Sequence, residues 1–560
     1  MPTRVVDYLV HTVSTLGVRH IFGVGGANIE DLYDAIFEAR DEVTGVIAKH
    51  EFSAATMADG YARTTGDFGV VASTSGGGAM NLVAGLAESF ASRIPVLALI
   101  GQPPSAAEGN GAFQDTSGRA GAIDAVRLFS AVSTYCARVE DGADLPGQLT
   151  EAIGAARRGG PAVLLLPKDI QQAELDAVAP VRIPPARHRI DRDGIARVRA
   201  ALDTARHTGK IVIIAGDQVA RDEARAELAD LAVALDAAVG VTPDAKDAYD
   251  NTDPGYCGVA GSMGHPELAA AIRSSALCLL VGTRLPVTAR AGLEALLTES
   301  TLVSIGSAPP YLPAVHANST DLSKTLIHLI NESPSSTADS EYIPATQAPT
   351  PLQVPFASGP GLRYRDLIET IDAALPEGTD VFADAGNTGA AAVHHLRVPR
   401  DGRFVVALGM GGMGYAFGAA IGATFARQAA GDPRRTVVIA GDGAFFMHGL
   451  EVHTAIEHAL PITFVVLNNN AHAMCVTREQ LYYRDRYSFN RFRPTHLGEG
   501  IAAMFPGLPA FSVHTIGDLT ATLEHCMRIP GPAFLSIECD SDEIPPFLPF
   551  LTAIDQAGKP

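Results

Sequence analysis

Short apolar runs alternate with amphipathic segments along most of the chain. Residues 437–440 and 462–467 are two such runs, and the segment between them, which extends through His458, has apolar residues at helical spacing. An uninterrupted apolar run is typical of a strand buried on both faces of a parallel sheet, whereas apolar residues three or four positions apart predict a helix. We therefore expect a strand, a helix and a second strand of one parallel sheet.

The same alternation recurs in the chain before this unit. It predicts a helix at 5–16, a strand at 20–24, a helix at 29–37, strands at 45–48 and 211–220, a helix at 221–235, and strands at 277–285, 302–306 and 380–383. Such repetition predicts an α/β fold of three consecutive domains, each a parallel sheet flanked by helices. A stretch rich in Ser, Thr and Pro separates the last two domains and predicts a linker. The expected domains are 1–182, 186–335 and 359–560, with the linker at 336–358.

Composition argues against several classes of function. Of the 560 residues, 47% are hydrophobic and 19% are charged, which is typical of a folded globular protein. A net charge of −20 argues against a nucleic-acid partner, because phosphate binding requires a basic surface. We expect no membrane span and no signal peptide, because no apolar stretch is long enough. The six cysteines lack metal-ligand spacing, so a reducing, cytoplasmic location is expected.

Both strands of the unit around His458 end in polar turns. The first turn, 441–443, reads Gly-Asp-Gly with Asp442 at its centre, and the second, 468–470, consists of three asparagines. Ligands of an open parallel sheet bind at the carboxyl ends of its strands, so both turns are expected to face one site. Carboxylate, amide and carbonyl oxygens suit Mg²⁺, and glycines let main-chain amides approach a diphosphate.

This pair of turns resembles the metal and diphosphate motif of thiamine diphosphate (ThDP) enzymes. The resemblance implies that Asp442, Asn469 and the main-chain carbonyl of Ala471 bind Mg²⁺, and that the metal holds the diphosphate of ThDP. It also implies that the three domains are a pyrimidine-binding (PYR) domain, a middle domain and a pyrophosphate-binding (PP) domain, in that order.

A second part of the resemblance begins at Glu51, which follows the predicted strand at 45–48. The sequence there fits HE-x-x-A-A-x-M-A-D-G-Y-A-R-x-T-G. Alone, Glu51 is better explained as a carboxylate that stabilises the first turn of a helix. In ThDP enzymes, the glutamate of this pattern hydrogen-bonds the aminopyrimidine ring and is catalytic. The segments GGGAMN at 76–81 and GMGGMG at 409–414 resemble two further cofactor segments, the second with a methionine, Met413, that supports the bent cofactor.

The resemblance assigns the remaining cofactor contacts by position. The cofactor-binding residues that it implies are Gly25, Gly77, Asn81, Gly386, Asn387, Thr388, Gly411, Met413, Gly441, Gly443, Ala444, Ala473 and Met474.

The loop at 109–118 resembles that of acetolactate synthases, in which its Phe113 and Gln114 reach the reaction centre. Alone, it equally fits a loop anchored by one buried phenylalanine. The adjacent histidines that pyruvate-decarboxylase-like members carry here are absent, and His394 and His395 are expected to pack on a helix. The resemblance thus implies a carboligase that decarboxylates a 2-oxo acid and joins the product to a carbonyl acceptor. A simple 2-oxo acid decarboxylase and an inactive regulatory paralogue stay open as alternatives.

Two departures from the acetolactate synthase pattern stand out. Arg478 replaces a tryptophan that shapes the second-substrate pocket, so Arg478 and the nearby Cys475 are predicted to select an anionic acceptor. A surface arginine paired with Glu479 or Asp485 is the alternative. In place of the flavin-domain motif RFDDR, this chain has only Thr-Arg-Leu-Pro at 283–286. This difference argues against bound FAD, and the sequence does not decide the question. Family members form active sites between subunits, so a homodimer or homotetramer is expected.

Overall fold

Three six-stranded sheets, each flanked by helices, make up the protein. The computed structural model describes residues 3–175, 181, 183, 190–331 and 349–557. Every pairing within the three large sheets is parallel. The predicted α/β fold of three consecutive domains is therefore confirmed.

The PYR domain comes first. Its strands are β1 (Thr3–Arg4), β2 (His20–Val24), β3 (Thr44–Ile47), β4 (Gly69–Ser73), β5 (Val96–Gln102), β6 (Tyr135–Arg138), β7 (Pro161–Pro167) and β8 (Glu174–Leu175). Its helices are α1 (Val5–Thr15), α2 (Glu30–Glu38), α3 (Glu51–Thr65), α4 (Gly77–Ala91), α5 (Ala125–Ser130), α6 (Leu145–Arg157) and α7 (Lys168–Gln172). The large sheet has the order β3-β2-β4-β5-β7-β6, and β1 pairs with β8 separately.

The middle domain has the same architecture. Its strands are β9 (Lys210–Ala215), β10 (Ala238–Val241), β11 (Tyr256–Val259), β12 (Ser275–Val281), β13 (Leu302–Gly306) and β14 (Val315–Asn318). Its helices are α8 (Arg192–Arg206), α9 (Asp217–Arg221), α10 (Arg225–Leu235), α11 (Pro266–Ser274), α12 (Val287–Arg290), α13 (Glu294–Glu299) and α14 (Leu322–Asn331). The strand order is β11-β10-β9-β12-β13-β14.

The PP domain completes the chain. Its strands are β15 (Asp380–Ala383), β16 (Phe404–Val406), β17 (Thr436–Gly441), β18 (Ile462–Asn468), β19 (Ala510–Val513) and β20 (Ala533–Glu538). Its helices are α15 (Tyr364–Ala374), α16 (Asn387–His395), α17 (Tyr415–Ala429), α18 (Asp442–His448), α19 (Val452–Glu457), α20 (Ala473–Tyr483), α21 (Leu497–Met504), α22 (Ile516–Arg528) and α23 (Leu548–Ala557). The strand order is β16-β15-β17-β18-β20-β19. No helix within the described ranges is long and apolar enough to cross a membrane.

The domain bounds stay a prediction. The boundary expected between 182 and 186 falls almost wholly outside the described residues, as do residues 336–348 of the expected linker. The described part of that linker, 349–358, has no helix or strand.

Two predictions in the middle domain are wrong in extent. The strand expected at 211–220 ends at Ala215, because the apolar residues after it are buried on α9 and not on the strand. The helix expected at 221–235 is interrupted at Glu223, whose φ of +49° is left-handed. An apolar run marks burial, and it does not show where a strand gives way to a buried helix.

Two further expected elements also differ from the structure, one because it is interrupted and one because it ends early. The single helix expected through His458 is two helices, α18 and α19, joined by a 3-10 turn at Gly449–Glu451. The strand expected at 277–285 ends at Val281, since the next residue, Gly282, has a left-handed φ of +67°. Glu451, the last residue of the 3-10 turn, accepts hydrogen bonds from the Lys49 and His50 amides of the PYR domain.

Helices α3 and α17 join the PYR and PP domains. A Cβ at Gly60 of α3 would lie 2.0 Å from the Ala419 carbonyl oxygen, and a Cβ at Gly422 of α17 would lie 1.8 Å from the Met57 carbonyl oxygen. Because glycine has no side chain, the two helix backbones touch directly. Apolar residues of both domains form one continuous core around this contact.

Candidate active site

The carboxyl ends of β17 and β18 bring the two polar turns together. These strands pair with Gly441 opposite Leu467, so Asp442 and Asn469 follow neighbouring strand ends. Asp442 is the first residue of α18 and is 1% exposed. Both of its carboxylate oxygens lack a hydrogen-bond partner in the described part of the chain. A buried, unpartnered carboxylate is costly, and a bound cation would satisfy it.

The electrostatics of Asp442 agree with this geometry. Burial raises the pKa of Asp442 to about 7, because the charged carboxylate loses its hydration. The amide dipoles of Asn469 and Gly443 oppose this rise in pKa but do not reach hydrogen-bond geometry. A cation beside the carboxylate would stabilise its charged form.

Asn469 is held at both ends of its side-chain amide. Its Oδ1 accepts a hydrogen bond from the Ala471 amide at 3.0 Å, and its Nδ2 donates to the Tyr364 hydroxyl at 3.1 Å. The Tyr364 main-chain nitrogen donates to both carboxylate oxygens of Glu543, at 3.0 and 3.1 Å. The Tyr364 contact therefore fixes the orientation of the Asn469 side-chain amide. Sequence analysis missed Tyr364, which lies 105 positions from Asn469 with no local pattern to connect them.

Four of the glycines predicted to bind the cofactor border open space. A Cβ added at any of them would meet no atom within 4 Å; they are Gly25, Gly77, Gly386 and Gly411. Gly443 differs, because a Cβ there would lie 2.6 Å from the His472 ring and 3.1 Å from the Met413 methyl. Met413 thus lies against the turn at 441–443. Open space at glycine-rich turns fits a ligand that approaches the main chain closely.

Asn387 and Thr388 open α16, close to these turns. Both are buried, and the Asn387 Oδ1 has no hydrogen-bond partner among the described residues. The Thr388 hydroxyl lies 3.4 Å from a Cβ placed at Gly441. The structure therefore brings these predicted cofactor residues to the same strand ends as Asp442.

Two buried carboxylates hold the glycine-rich turn at 409–414. Asp384, which follows β15, accepts hydrogen bonds from the amides of Gly414 and Ala416, both at 2.9 Å. Burial raises the pKa of Asp384 to about 6. Glu88 of α4 accepts from the amides at 409–411, so this PP-domain turn is also held by the PYR domain. Sequence analysis missed both carboxylates.

Glu51 lies at the start of α3 and is mostly buried. Asn81 donates a hydrogen bond to its Oε2 at 2.9 Å. A Cβ at Gly78 would lie 2.8 Å from its Oε1, so the glycine turn is in contact with the carboxylate. The His50 side chain accepts from the Phe52 amide at 3.0 Å and caps the helix. Glu51 therefore occupies the first helical turn and also faces the 76–81 segment.

Gln114 joins the 109–118 loop to the same segment. Its φ of +59° is left-handed, its side chain packs against Gly76, and its Oε1 accepts from the Thr74 hydroxyl at 3.1 Å. Phe113 is 74% exposed, so the alternative of a loop anchored by a buried phenylalanine is not observed. The buried Asn28, which sequence analysis missed, holds the loop instead by donating to the Phe113 carbonyl at 3.4 Å.

Helix α20 begins at Ala473, three residues after the last asparagine of the turn at 468–470. Ala473 is buried, and Met474 packs at the edge of the core. Arg478 is exposed; its guanidinium lies 3.9 Å from the Cys475 sulfur and 5.9 Å from the centre of the Phe550 ring.

The alternative for Arg478 is not observed. Across the residues that the structure describes, no ion pair joins it to Glu479 or Asp485. Glu479 is buried and accepts a hydrogen bond from Asn490. Apart from the long contact of its Nη1 with the Cys475 sulfur, the guanidinium keeps its donors available to an anion.

His394 and His395 lie on α16, and their packing role is confirmed for His394. Its Nδ1 is 3.0 Å from the Met263 carbonyl, its Nε2 accepts from the Leu352 amide at 2.9 Å, and its ring stacks on His265. These contacts join the PP domain to the middle domain.

The segment at 283–286, which departs from the flavin motif, lies elsewhere. It borders a cavity of about 370 Å³ between the three domains, which Arg93 and Arg221 also line. Arg93 donates a hydrogen bond to Ser307 at 2.6 Å. This cavity is lined by residues other than those of the Asp442 turn.

Three models of one protein family match successive parts of the chain. The family model described as thiamine pyrophosphate enzyme, N-terminal TPP binding domain, matches residues 3–121. The models of the central domain and of the C-terminal TPP binding domain match residues 195–326 and 384–537. Thiamine pyrophosphate (TPP) is another name for ThDP.

Relatives match over nearly the whole chain. A probable acetolactate synthase large subunit of Methanocaldococcus jannaschii is 27% identical over 97% of this chain and 93% of that protein. The acetolactate synthase large subunit of Parasynechococcus marenigrum is 31% identical over 84% of this chain and 77% of that protein. The solved structure of benzoylformate decarboxylase from Polynucleobacter necessarius covers 97% of this chain and all of its own, with a TM-score of 0.84 and 18% identity, a likeness of fold alone. The chain therefore belongs to the thiamine pyrophosphate enzymes, in their acetolactate synthase-like branch.

Proposed function

We propose that this chain is a ThDP- and Mg²⁺-dependent carboligase, which decarboxylates a 2-oxo acid and joins the product to a second carbonyl compound. The observation that carries the proposal is the buried carboxylate of Asp442, which lies beside Asn469 and whose two oxygens have no hydrogen-bond partner among the residues that the structure describes. In the proposal, Asp442, the Asn469 Oδ1 and the Ala471 carbonyl bind Mg²⁺, and the cation holds the diphosphate. When bound, ThDP supplies the electron sink for decarboxylation.

Glu51 is the proposed acid-base residue of the pyrimidine side. One of its carboxylate oxygens is held by Asn81, which leaves the other for the aminopyrimidine ring. Its burial limits competition from water for that hydrogen bond. The presence of Glu51, Asp442 and Asn469 in these environments counts against an inactive regulatory paralogue.

The carboligase assignment is supported by the loop of Phe113 and Gln114 and by the names of the relatives. Gln114 keeps a left-handed backbone, and such strain persists where surrounding contacts impose it, often at functional sites. We propose that Gln114 and the exposed Phe113 border the acceptor, and that Arg478 and Cys475 select among acceptors. A free guanidinium favours a carboxylate or phosphate on the acceptor.

A second copy of the chain is proposed to complete the site. Large apolar side chains are exposed next to the predicted cofactor residues: Phe113, Met410, Phe446 and Met447. Exposed apolar residues in such number typically mark an interface. We propose a homodimer or homotetramer in the cytoplasm, and FAD is not part of the proposal.

A simple 2-oxo acid decarboxylase is the second candidate, and the fold likeness to a decarboxylase supports it. Product analysis separates the two. The chain is incubated with a 2-oxo acid, ThDP and Mg²⁺, with and without an acceptor aldehyde or oxo acid. A ligated product that forms at the expense of free aldehyde supports the carboligase, and free aldehyde alone in both reactions contradicts it.

A further inference from the structure

Two buried glutamates cross the boundary between the PYR and PP domains in opposite directions. Glu88 belongs to α4 of the PYR domain and is 2% exposed, and Glu451 ends the 3-10 turn before α19 of the PP domain and is 1% exposed. Each carboxylate contacts main-chain amides of the other domain. The segments that they contact lie close in sequence to Met413 and Glu51, two residues that the family resemblance assigns to the cofactor site.

Glu88 holds the glycine-rich turn. Its carboxylate accepts hydrogen bonds from the amides of Gly409 at 3.1 Å, Met410 at 2.6 Å and Gly411 at 3.2 Å. The Ser92 hydroxyl donates to the same carboxylate at 2.8 Å. Three consecutive amides aimed at one anion form a nest, and here the anion comes from another domain.

The contact leaves the turn little freedom. A Cβ at Gly409 would lie 2.8 Å from the Glu88 Oε1, so the carboxylate fills the space beside this residue. Gly411 has a left-handed φ of +67° and Met413 follows two positions later, so the orientation of both depends on the turn. Asp384 holds only the far end of the turn, through Gly414 and Ala416.

Glu451 holds the segment that precedes Glu51. Its Oε1 accepts hydrogen bonds from the amides of Lys49 at 2.8 Å and His50 at 3.2 Å, and its Oε2 accepts from the Thr454 hydroxyl at 2.9 Å. Glu51 is the next residue, so the entry of the chain into α3 is fixed from the PP domain. Without this carboxylate, two amides in the domain boundary would lose their partners.

We infer that Glu88 and Glu451 are a reciprocal pair of positioning residues, each of which places a predicted cofactor segment of the other domain. The inference rests on the proposed function for the identity of the cofactor. The contacts themselves do not depend on the cofactor. Either glutamate acts through the main chain, so neither needs to touch the cofactor or substrate.

Hydrogen exchange of the cofactor-free chain tests the reciprocity. Glu88→Gln replaces one acceptor oxygen by an amide donor, so the amides at 409–411 are expected to exchange faster while those of Lys49 and His50 do not. Glu451→Gln is expected to give the reverse pattern. A general loosening of the structure would raise exchange in both segments of both variants, and that result, or no change, would overturn the inference.

Cofactor binding supplies the second readout, measured by calorimetry with ThDP and Mg²⁺. Both glutamine variants are expected to bind ThDP about 10-fold or more weakly than the wild type, a loss typical of outer contacts of a cofactor site. The matched control is Asp247→Asn. Asp247 is also a buried carboxylate between two domains, held by Arg225 and Arg403, but it does not touch the cofactor segments. The Asp247→Asn variant is expected to have lower thermal stability and unchanged affinity for ThDP.

The outcomes separate the inference from the proposed function. If the wild type does not bind ThDP, the proposed function fails, while the crossed exchange pattern still decides the inference. If the wild type binds and the variants bind equally well, the inference is wrong. Should a glutamine variant not fold, Glu88→Asp and Glu451→Asp keep the charge with a shorter reach, and they must give the same crossed pattern in weaker form.

Discussion

The unpartnered carboxylate of Asp442 predicts that this residue destabilises the metal-free protein. A carboxylate buried without a hydrogen-bond partner lowers folding stability, and Asp442→Asn removes its charge with little change of shape. We therefore expect the metal-free Asp442→Asn variant to be more stable than the wild type at pH 8. The same variant is expected to lose the increase in stability that Mg²⁺ and ThDP give the wild type.

The size of this destabilisation of the metal-free protein follows from the pKa of Asp442. The ordinary value is 3.8, and the folded chain raises it to about 7. A raised carboxyl pKa means that folding favours the protonated form. The penalty, which is the loss of folding stability caused by Asp442, is therefore absent below pH 3.8, grows between pH 3.8 and about pH 7, and is complete above about pH 7. At about 1.36 kcal/mol per pH unit, the penalty reaches about 4 kcal/mol. Removing this penalty is partly offset in Asp442→Asn, because the variant buries an amide in its place. For a domain of this size, the remaining gain in stability corresponds to an increase in melting temperature of roughly 5–10 °C.

Thermal unfolding of the metal-free proteins between pH 5 and pH 8 is the assay. The gain of Asp442→Asn over the wild type should widen as the pH rises. Asp380→Asn is the matched control, because Asp380 is buried in the same domain but paired with Arg427 at 2.8 Å, so its loss should lower the melting temperature. An Asp442→Asn variant that is as stable as the wild type at pH 8, or less stable, would refute the reasoning.

Three further predictions concern single residues. Glu51→Gln should fold and bind ThDP normally but lower kcat by orders of magnitude, and near-normal turnover would point to another proton route. Tyr364→Phe should weaken Mg²⁺-dependent ThDP binding about 10-fold, because the Asn469 amide loses the contact that orients it; equal affinity in calorimetry would show that this contact is dispensable. Arg478→Gln should change the preference between anionic and neutral acceptors without slowing CO₂ release, and the opposite result would remove its selective role.

The strands were the most predictable part of the fold. The strands expected at 20–24, 302–306 and 380–383 agree with the structure, because fully buried parallel strands are short apolar runs between turns. Helix breaks such as that at Glu223 were not predictable, since a left-handed φ at a charged residue has no signal in the apolar pattern.

Some contacts of the candidate site could likewise be predicted from the sequence, and others could not. Asp442 and Asn469 follow strands directly, so the pattern of the chain could predict that they meet. Glu88 lies within a helix, 321 positions from the Gly409 amide that it holds, and Glu451 is 402 positions from Lys49. These contacts depend on how α3 and α17 pack the two domains together. That packing is a property of the tertiary structure, and no local spacing records it.

The central claim is that this chain decarboxylates a 2-oxo acid with ThDP and Mg²⁺. The most direct measurement is CO₂ release from a panel of 2-oxo acids, with each cofactor omitted in turn and Glu51→Gln in parallel. We predict that at least one 2-oxo acid releases CO₂ only when both ThDP and Mg²⁺ are present, and that Glu51→Gln releases it orders of magnitude more slowly. CO₂ release that is unchanged without ThDP, or no release from any donor by a wild type that binds ThDP, would contradict the account.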